Sequence, residues 1–216
     1  ETTEGVHIHI IDAELMGKGE KEKKDLYIEG IQNNGIINHY EYIINSEGTI
    51  EIRHVLKPEG KMPLWFPRIG LTLTVSDALD QVKWYGRGPQ ENYPDRKTGY
   101  PTGIYASTVQ AMYEPYLMPQ DYGLRTDVRW LQLTTDKGIG LQFKMNEWFN
   151  FNIYPYSTDN LTKAMYTYQL QKQKGMTLNL DYATTGVGCT ARGVFGAYKA
   201  MPQEYRRTIS IRPMMK

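Results

Sequence analysis

Five carboxylates stand among aromatic and turn-forming residues and carry the chemistry that this sequence could do: Glu91, Asp95, Glu114, Asp127 and Glu147. Hydrolysis of a glycosidic bond needs two carboxyl groups facing each other across that bond, usually from different elements, so spacing along the chain selects no pair among the five. Glu114 lies between Tyr113 and Tyr116, where desolvation would raise its pKa and surface hydrogen bonding would not. His7 and His9 share one face of an alternating strand, yet no third ligand stands nearby, and they read as a solvated face rather than a metal site. Cys189 is the single cysteine. It allows no intrachain disulfide, and without a thiolate-stabilising partner it reads as a buried structural residue. Phosphate loops, paired zinc cysteines and the His-Glu-x-x-His pattern do not occur, and Gly186-Val187-Gly188 has no following helix to make it a dinucleotide site.

These residues must be positioned by strands. Alternation predicts strands over 7–12, 26–30, 39–45, 50–56, 69–75, 130–135, 139–145, 148–154, 176–182 and 206–212, with a charged hairpin or loop at 17–24. Ser46-Glu47-Gly48 and Asp136-Lys137-Gly138 are turn signals of hairpin length. Within 50–56 the pattern puts Ile50, Ile52 and His54 on one side, and His54 reads as a half-buried, hydrogen-bonded strand residue. Arg125, Asp127 and Arg129 alternate, which predicts a salt-bridged ladder on one strand face. One short helix is expected over 161–168, capped by Asp159 or Asn160. Many strands, close turns and almost no helix indicate a large antiparallel β-sandwich, a single domain over residues 1–216.

Composition narrows the partners. Lys and Arg total 25 against 24 for Asp and Glu, a net charge of +1, so no long-range field recruits nucleic acid or an anionic membrane. The longest apolar runs are far short of the roughly 20 residues of a spanning helix. Seventeen tyrosines and four tryptophans at a mean hydropathy of −0.55 suit both β-structure and contacts to sugars. The chain opens without a secretory or transit signal and enters an alternating strand at once, which reads as a fragment of a longer polypeptide and leaves the compartment, periplasm or cytoplasm, undecided.

The densest cluster of turn formers, aromatics and charges is Trp84-Tyr85-Gly86-Arg87-Gly88-Pro89-Gln90-Glu91-Asn92-Tyr93-Pro94-Asp95-Arg96. With Tyr113-Glu114-Pro115-Tyr116, then Pro119-Gln120-Asp121-Tyr122-Gly123 and Asp127-Val128-Arg129-Trp130, it closely resembles the C-terminal, small-chain domain of bacterial β-galactosidases of the LacZ type, glycoside hydrolase family two. Arg68-Ile69-Gly70, Leu178-Asn179-Leu180-Asp181 and Gly186-Val187-Gly188 extend the resemblance over nearly the whole chain. It implies an antiparallel super-sandwich similar to galactose mutarotase, lacking its first strands, behind a (β/α)8 barrel of the same polypeptide that holds both catalytic glutamates and a magnesium ion. No catalytic residue, metal site or cofactor is then expected in this chain. A homo-oligomeric full enzyme acting on β-galactosides is implied as well.

In that family a loop tryptophan after the Gly-x-Gly turn stacks on the sugar. Its position falls near Gly193, where no tryptophan stands, and the resemblance therefore points to Arg192, Gly193 and Phe195 as the substrate-facing segment of a loop over 184–196. The bland reading of Phe195 is core packing. The departure keeps a β-glucuronidase or β-mannosidase parent open, although the domain type favours galactosidase. An autonomous carbohydrate-binding module and a purely structural assembly domain stand as alternatives. Because sugar contact in the family comes from the later glycine loop, Glu91, Asn92 and Arg96 are better read as a hydrogen-bonded brace for a sharp turn.

Overall fold

The computed structural model describes residues 6–15, by their backbone course, together with 34–189 and 193–215. The strand expected at 26–30, the hairpin at 17–24 and the side chains of His7 and His9 lie outside what is described. Ten strands follow in order: β1 (Val6–Leu15), β2 (Asn34–Ile44), β3 (Ile50–Gly60), β4 (Arg68–Val75), β5 (Gln81–Arg87), β6 (Thr102–Thr108), β7 (Arg125–Thr134), β8 (Gly140–Tyr154), β9 (Met176–Thr184) and β10 (Tyr205–Met214). All their pairings are antiparallel, and the all-β architecture expected from the alternation is present.

β8 organises the sheet because it is long enough to serve two branches. Its first half pairs with β10 from Met145 to Gly140, leading to β3, β2 and β1. Its second half, Asn150 to Tyr154, pairs with β9, which in turn pairs with β4. The opposite edge takes β7, then β5 and β6. The two short strands expected at 139–145 and 148–154 are thus one continuous element. One hydrophobic cluster collects Ile52 and Ile209 from the first branch, Ile69, Leu178 and Leu180 from the second, and Trp84, Leu131 and Phe151 from the shared part, so the branches close over a common core.

Alternation explains which faces meet there. Phe149, Phe151 and Ile153 of β8 enter the core. Asn152 and Tyr154, on the other face, are nevertheless fully buried, because residues 113–123 and α1 (Thr158–Lys163) cover that side. Polar residues of β4, β8 and β9 therefore form a buried layer beneath a loop, and that layer becomes the floor of the site. α1 is shorter than expected and starts earlier, since the Ser157 hydroxyl accepts from the Asn160 amide at 3.0 Å and caps the first turn.

His54 is more deeply buried than the alternation implied, at 1% exposure. Its Nδ1 meets the Tyr182 hydroxyl at 2.7 Å and its Nε2 meets Asn38 Oδ1 at 3.0 Å, while the Tyr40 ring stacks on it with 4.1 Å between centroids. A neutral imidazole satisfies this setting, with Nε2 donating and Nδ1 accepting. Burial lowers its pKa from 6.5 to about 4. The folded value lies below the unfolded one, so the contribution is present above pH 6.5 and is lost as pH falls through 4. Asp181, pushed up to about 6 by burial, acts in the opposite sense and loses its contribution as pH rises through 6. A His54→Gln chain shares Asp181, which isolates the histidine. The urea-melt advantage of the native chain over this variant shrinks by about 2 kcal/mol between pH 7 and pH 4. A gap that stays constant with pH contradicts a neutral buried imidazole.

Candidate functional site

The Trp84–Arg96 segment is half strand and half turn. Trp84 lies fully buried in β5, with its indole N–H donating to the Arg87 carbonyl at 3.0 Å and the Arg125 guanidinium 5.4 Å from its ring centroid. Gly86 and Gly88 are required by close approach. A Cβ on Gly86 would stand 2.8 Å from Val128, and one on Gly88 would stand 2.8 Å from the Tyr105 ring. The Gly88–Pro89 peptide is cis.

The turn itself is braced from within, as read from the sequence. Glu91 is buried and accepts from the Tyr93 hydroxyl at 3.1 Å, Arg96 Nη2 at 3.0 Å, the Gly123 amide at 2.9 Å and the Tyr116 hydroxyl. Asn92 has no exposed surface. Its Oδ1 accepts from the amide and hydroxyl of Thr126, and its Nδ2 donates to the Gln90 carbonyl at 3.1 Å. Two segments distant in sequence, 119–126 and the motif, are fastened together by these side chains.

Asp95 has a role that spacing along the chain does not reveal. Its carboxylate accepts from the amides of Val187, at 3.0 Å, and Gly188, at 2.7 Å, and so anchors the start of the glycine loop. A Cβ on Gly186 would fall 2.3 Å from Asp95 Cγ and push the carboxylate out of this position. The motif is therefore a brace for its own turn and also a clamp on the 184–196 loop.

Below the clamp, the polar faces of β4, β8 and β9 converge. Asp181 opposes Gly70 in register, and a side chain on Gly70 would meet the Leu180 carbonyl at 2.3 Å. Arg68 Nη2 bridges Asp181 at 3.1 Å, Asp121 at 3.2 Å and Asn152 Oδ1 at 3.4 Å. Asp121 also accepts from Asn152 Nδ2 at 2.9 Å and from the Tyr154 hydroxyl at 3.0 Å. Asn179 Nδ2 donates to Asn152 Oδ1 at 2.8 Å and to the Tyr154 oxygen at 2.9 Å, and its Oδ1 accepts from Thr72 at 2.7 Å. The coulombic pull of Asp181 and Asp121 raises the Arg68 pKa although burial opposes it, which keeps the guanidinium charged. Above this floor opens a cavity of about 900 Å³, walled by Trp65, Arg68, Arg96, Gln120, Asp121 and the backbone of 184–188.

None of the five candidate acids lines this cavity. Glu91 and Asp95 are consumed by the brace and the clamp. Asp127 is held by Lys97 at 2.8 Å and by Arg87, which keep its pKa low against the opposing effect of burial. Glu147 pairs with Arg207 at 2.9 Å, and burial raises the pKa of Glu114. The ladder expected from Arg125, Asp127 and Arg129 does not form. Register shifts between Arg125 and Val128 and between Val128 and Trp130 break the alternation, and Asp127 takes φ 55°. Arg125 turns to Trp84, and Arg129 stacks on Trp148 at 4.0 Å.

Of the expected substrate-facing segment, Arg192 lies outside the described residues. Gly193 is exposed, with nothing within 4 Å of its would-be Cβ. Phe195 is 66% exposed, which corrects the core-packing reading: it leads into a single 3-10 turn, Gly196–Tyr198, that buries none of its own residues. Cys189 is likewise exposed rather than buried. Asp121, Trp65 and Gln120 are the site residues that spacing did not single out. Among the described residues, no group of three or more His, Cys, Asp or Glu is placed to hold a metal ion, and no helix is long and apolar enough to cross a membrane.

A family model described as beta galactosidase small chain matches residues 6–211. The chain belongs to this family. Relatives of the small-chain protein include a beta-galactosidase of Priestia megaterium, 38% identical over 68% of this chain and 14% of the relative. Another, from Vibrio cholerae, is 39% identical over 56% of this chain and 11% of the relative. A third, from Pseudoalteromonas haloplanktis, is 33% identical over 72% and 14% respectively. The small-chain protein thus spans about a tenth to a seventh of the length of these curated relatives. The solved structure of a GalM/aldose epimerase homologue from C. elegans aligns with 99% of this chain and 66% of its own, at a TM-score of 0.45 and 12% identity.

Proposed function

We propose that this chain is the noncatalytic C-terminal part of a β-galactosidase, closing one side of an active site whose catalytic glutamates and magnesium belong to a barrel elsewhere in the same polypeptide. The observation that carries the reading is the family match over 6–211, joined to relatives named beta-galactosidase that are several times longer. Two structural features support it. The loop expected to reach substrate, with Arg192, Gly193 and Phe195, is held at its base by Asp95 rather than left free. Leu64 and Leu117, neighbours in sequence of the cavity-wall residues Trp65 and Tyr116, are 86% and 95% exposed. Together with Phe195 they supply apolar surface for a neighbouring part of the enzyme to cover.

The chain's own residues contribute position and enclosure, not proton transfer, because its buried acids are already engaged. The isolated chain is expected to show no hydrolysis of an aryl β-galactoside. Robust turnover that Glu91→Gln or Glu114→Gln abolishes contradicts the proposal.

A further inference from the structure

We propose that the outward face of β5, β7, β8 and β10 binds an acidic oligosaccharide, a chain of pyranose rings bearing carboxylates, through Lys83, Lys144, Arg212 and the exposed rings of Tyr85 and Trp148. Register puts these groups on one surface. Val82 and Trp84 in β5, Leu131 and Leu133 in β7, Phe143 in β8 and Ile209 in β10 are buried, so alternation turns their neighbours Lys83, Tyr85, Trp130, Gln132, Lys144 and Arg212 the other way. Lys83 lies opposite Gln132, Gln132 opposite Gln142, and Gln142 opposite Arg212. One transverse row therefore crosses four strands, about 14 Å at the usual strand spacing. In the next row Tyr85 lies opposite Trp130 and Trp130 opposite Lys144, and Trp148 continues the β8 face beyond Lys144. None of these residues lines the cavity of about 900 Å³ or belongs to the 184–196 loop.

The net charge of +1 hides a local imbalance. The outward positions of 81–85, 104–108, 130–134, 142–148 and 208–212 carry Lys83, Lys144 and Arg212 and no acid. These three cations are exposed and form no ion pair among the described residues. At the margin Glu51 and Glu147 are paired with Arg53 and Arg207, Asp80 accepts from Gln81 at 3.1 Å, and Asp136 stands in the turn between β7 and β8. Such a face attracts an anion, but exposed charges alone hold it weakly. The rings add the second kind of contact. Trp148 is 60% and Tyr85 37% exposed, and the Arg129 guanidinium lies 4.0 Å from the Trp148 centroid and 5.2 Å from that of Tyr85. Arg129 itself is tied to the Asp127 carbonyl, so both rings are steadied before a ligand arrives, and the C–H face of a pyranose rests on such surfaces. Beside Lys83 a groove of about 550 Å³ adds the amides of Gln81 and Gln132 and the hydroxyls of Thr108 and Thr134, which match sugar hydroxyls as donors and acceptors. An acidic peptide or a DNA strand has charge for the cations but no hydroxyl-rich ring for these groups.

Calorimetry on the 216-residue chain tests this with oligogalacturonate, compared with a neutral galacto-oligosaccharide of the same length and with poly-glutamate and oligothymidylate of matched charge. Oligogalacturonate should bind, less tightly as salt rises, and at least several-fold more tightly than each of the three comparisons. Lys83→Gln, Lys144→Gln and Trp148→Ala, all at exposed side chains, should each weaken binding by about twofold to tenfold without moving the melting temperature. Trp65→Ala, in the wall of the other cavity, should bind as the native chain does. Failure of oligogalacturonate to bind overturns the proposal. So does equal or tighter binding of any comparison polymer, binding that persists unchanged in Trp148→Ala, or binding lost in Trp65→Ala. Each outcome reads binding by the chain alone and is independent of whether the chain walls a β-galactosidase active site.

Discussion

An Asn92→Ala chain unfolds with about 3 kcal/mol less stability than the native chain. The side chain is completely buried, and it bridges the Gln90 carbonyl to the amide and hydroxyl of Thr126. Alanine leaves the buried Thr126 amide and hydroxyl without this acceptor, which costs more than the bonds themselves are worth in the folded state. Asn92→Asp keeps the acceptor for Thr126 while losing the donor to Gln90, and should fall between the two. The Asn92 side chain bonds Gln90 and Thr126, neither of which lines the cavity, so the sugar affinity of the still-folded Asn92→Ala chain should be unchanged. Equal urea midpoints for native and Asn92→Ala chains contradict the brace, and lost affinity in a folded variant would make the motif a recognition element.

Asp95→Ala is expected to act on function rather than on the fold. Its carboxylate is the acceptor for the Val187 and Gly188 amides, and these bonds lie near the surface, so their loss costs the whole structure about 1 kcal/mol or less. The loop they hold is the segment proposed to meet substrate. In the full-length enzyme, Asp95→Ala should lower kcat/KM for an aryl β-galactoside by about tenfold to a hundredfold, since displacement of a positioning element by about 1 Å suffices for that. In the 216-residue chain the amides of Val187 and Gly188 should lose their hydrogen-exchange protection while the β8 amides keep theirs. Unchanged kinetics together with unchanged exchange would remove Asp95 from the account.

Strand identity was legible wherever one face of a strand meets the core, because a period of two is then forced on the sequence. β3, β4 and β9 show it, and their ends shift by a few residues at most. β8 was legible as pattern but not as architecture: Asn150 and Asn152 look solvated when only β8 is considered, and only the cover from 113–123 makes Asn152 a buried member of a network. The bulges in β7 left no local mark, so regular alternation assigned Asp127 the wrong partners. Its true ones, Arg87 and Lys97, lie 40 and 30 residues away. The motif identified the family and the internal brace. Its clamp on the glycine loop stayed hidden because Asp95 and Gly188 are 93 positions apart, and nothing in spacing reports a contact of that range. Phe195 and Cys189 were misjudged for a related reason: apolar character alone does not say whether a loop residue turns inward.

The most direct measurement compares aryl β-galactoside hydrolysis by the full-length enzyme, by the same enzyme lacking these 216 residues, and by the 216-residue chain alone. Activity in the first, a loss of several orders of magnitude in the second despite intact upstream glutamates, and silence in the third is the result expected of a noncatalytic wall. Full activity after removal of the chain, or turnover by the chain alone, would contradict it.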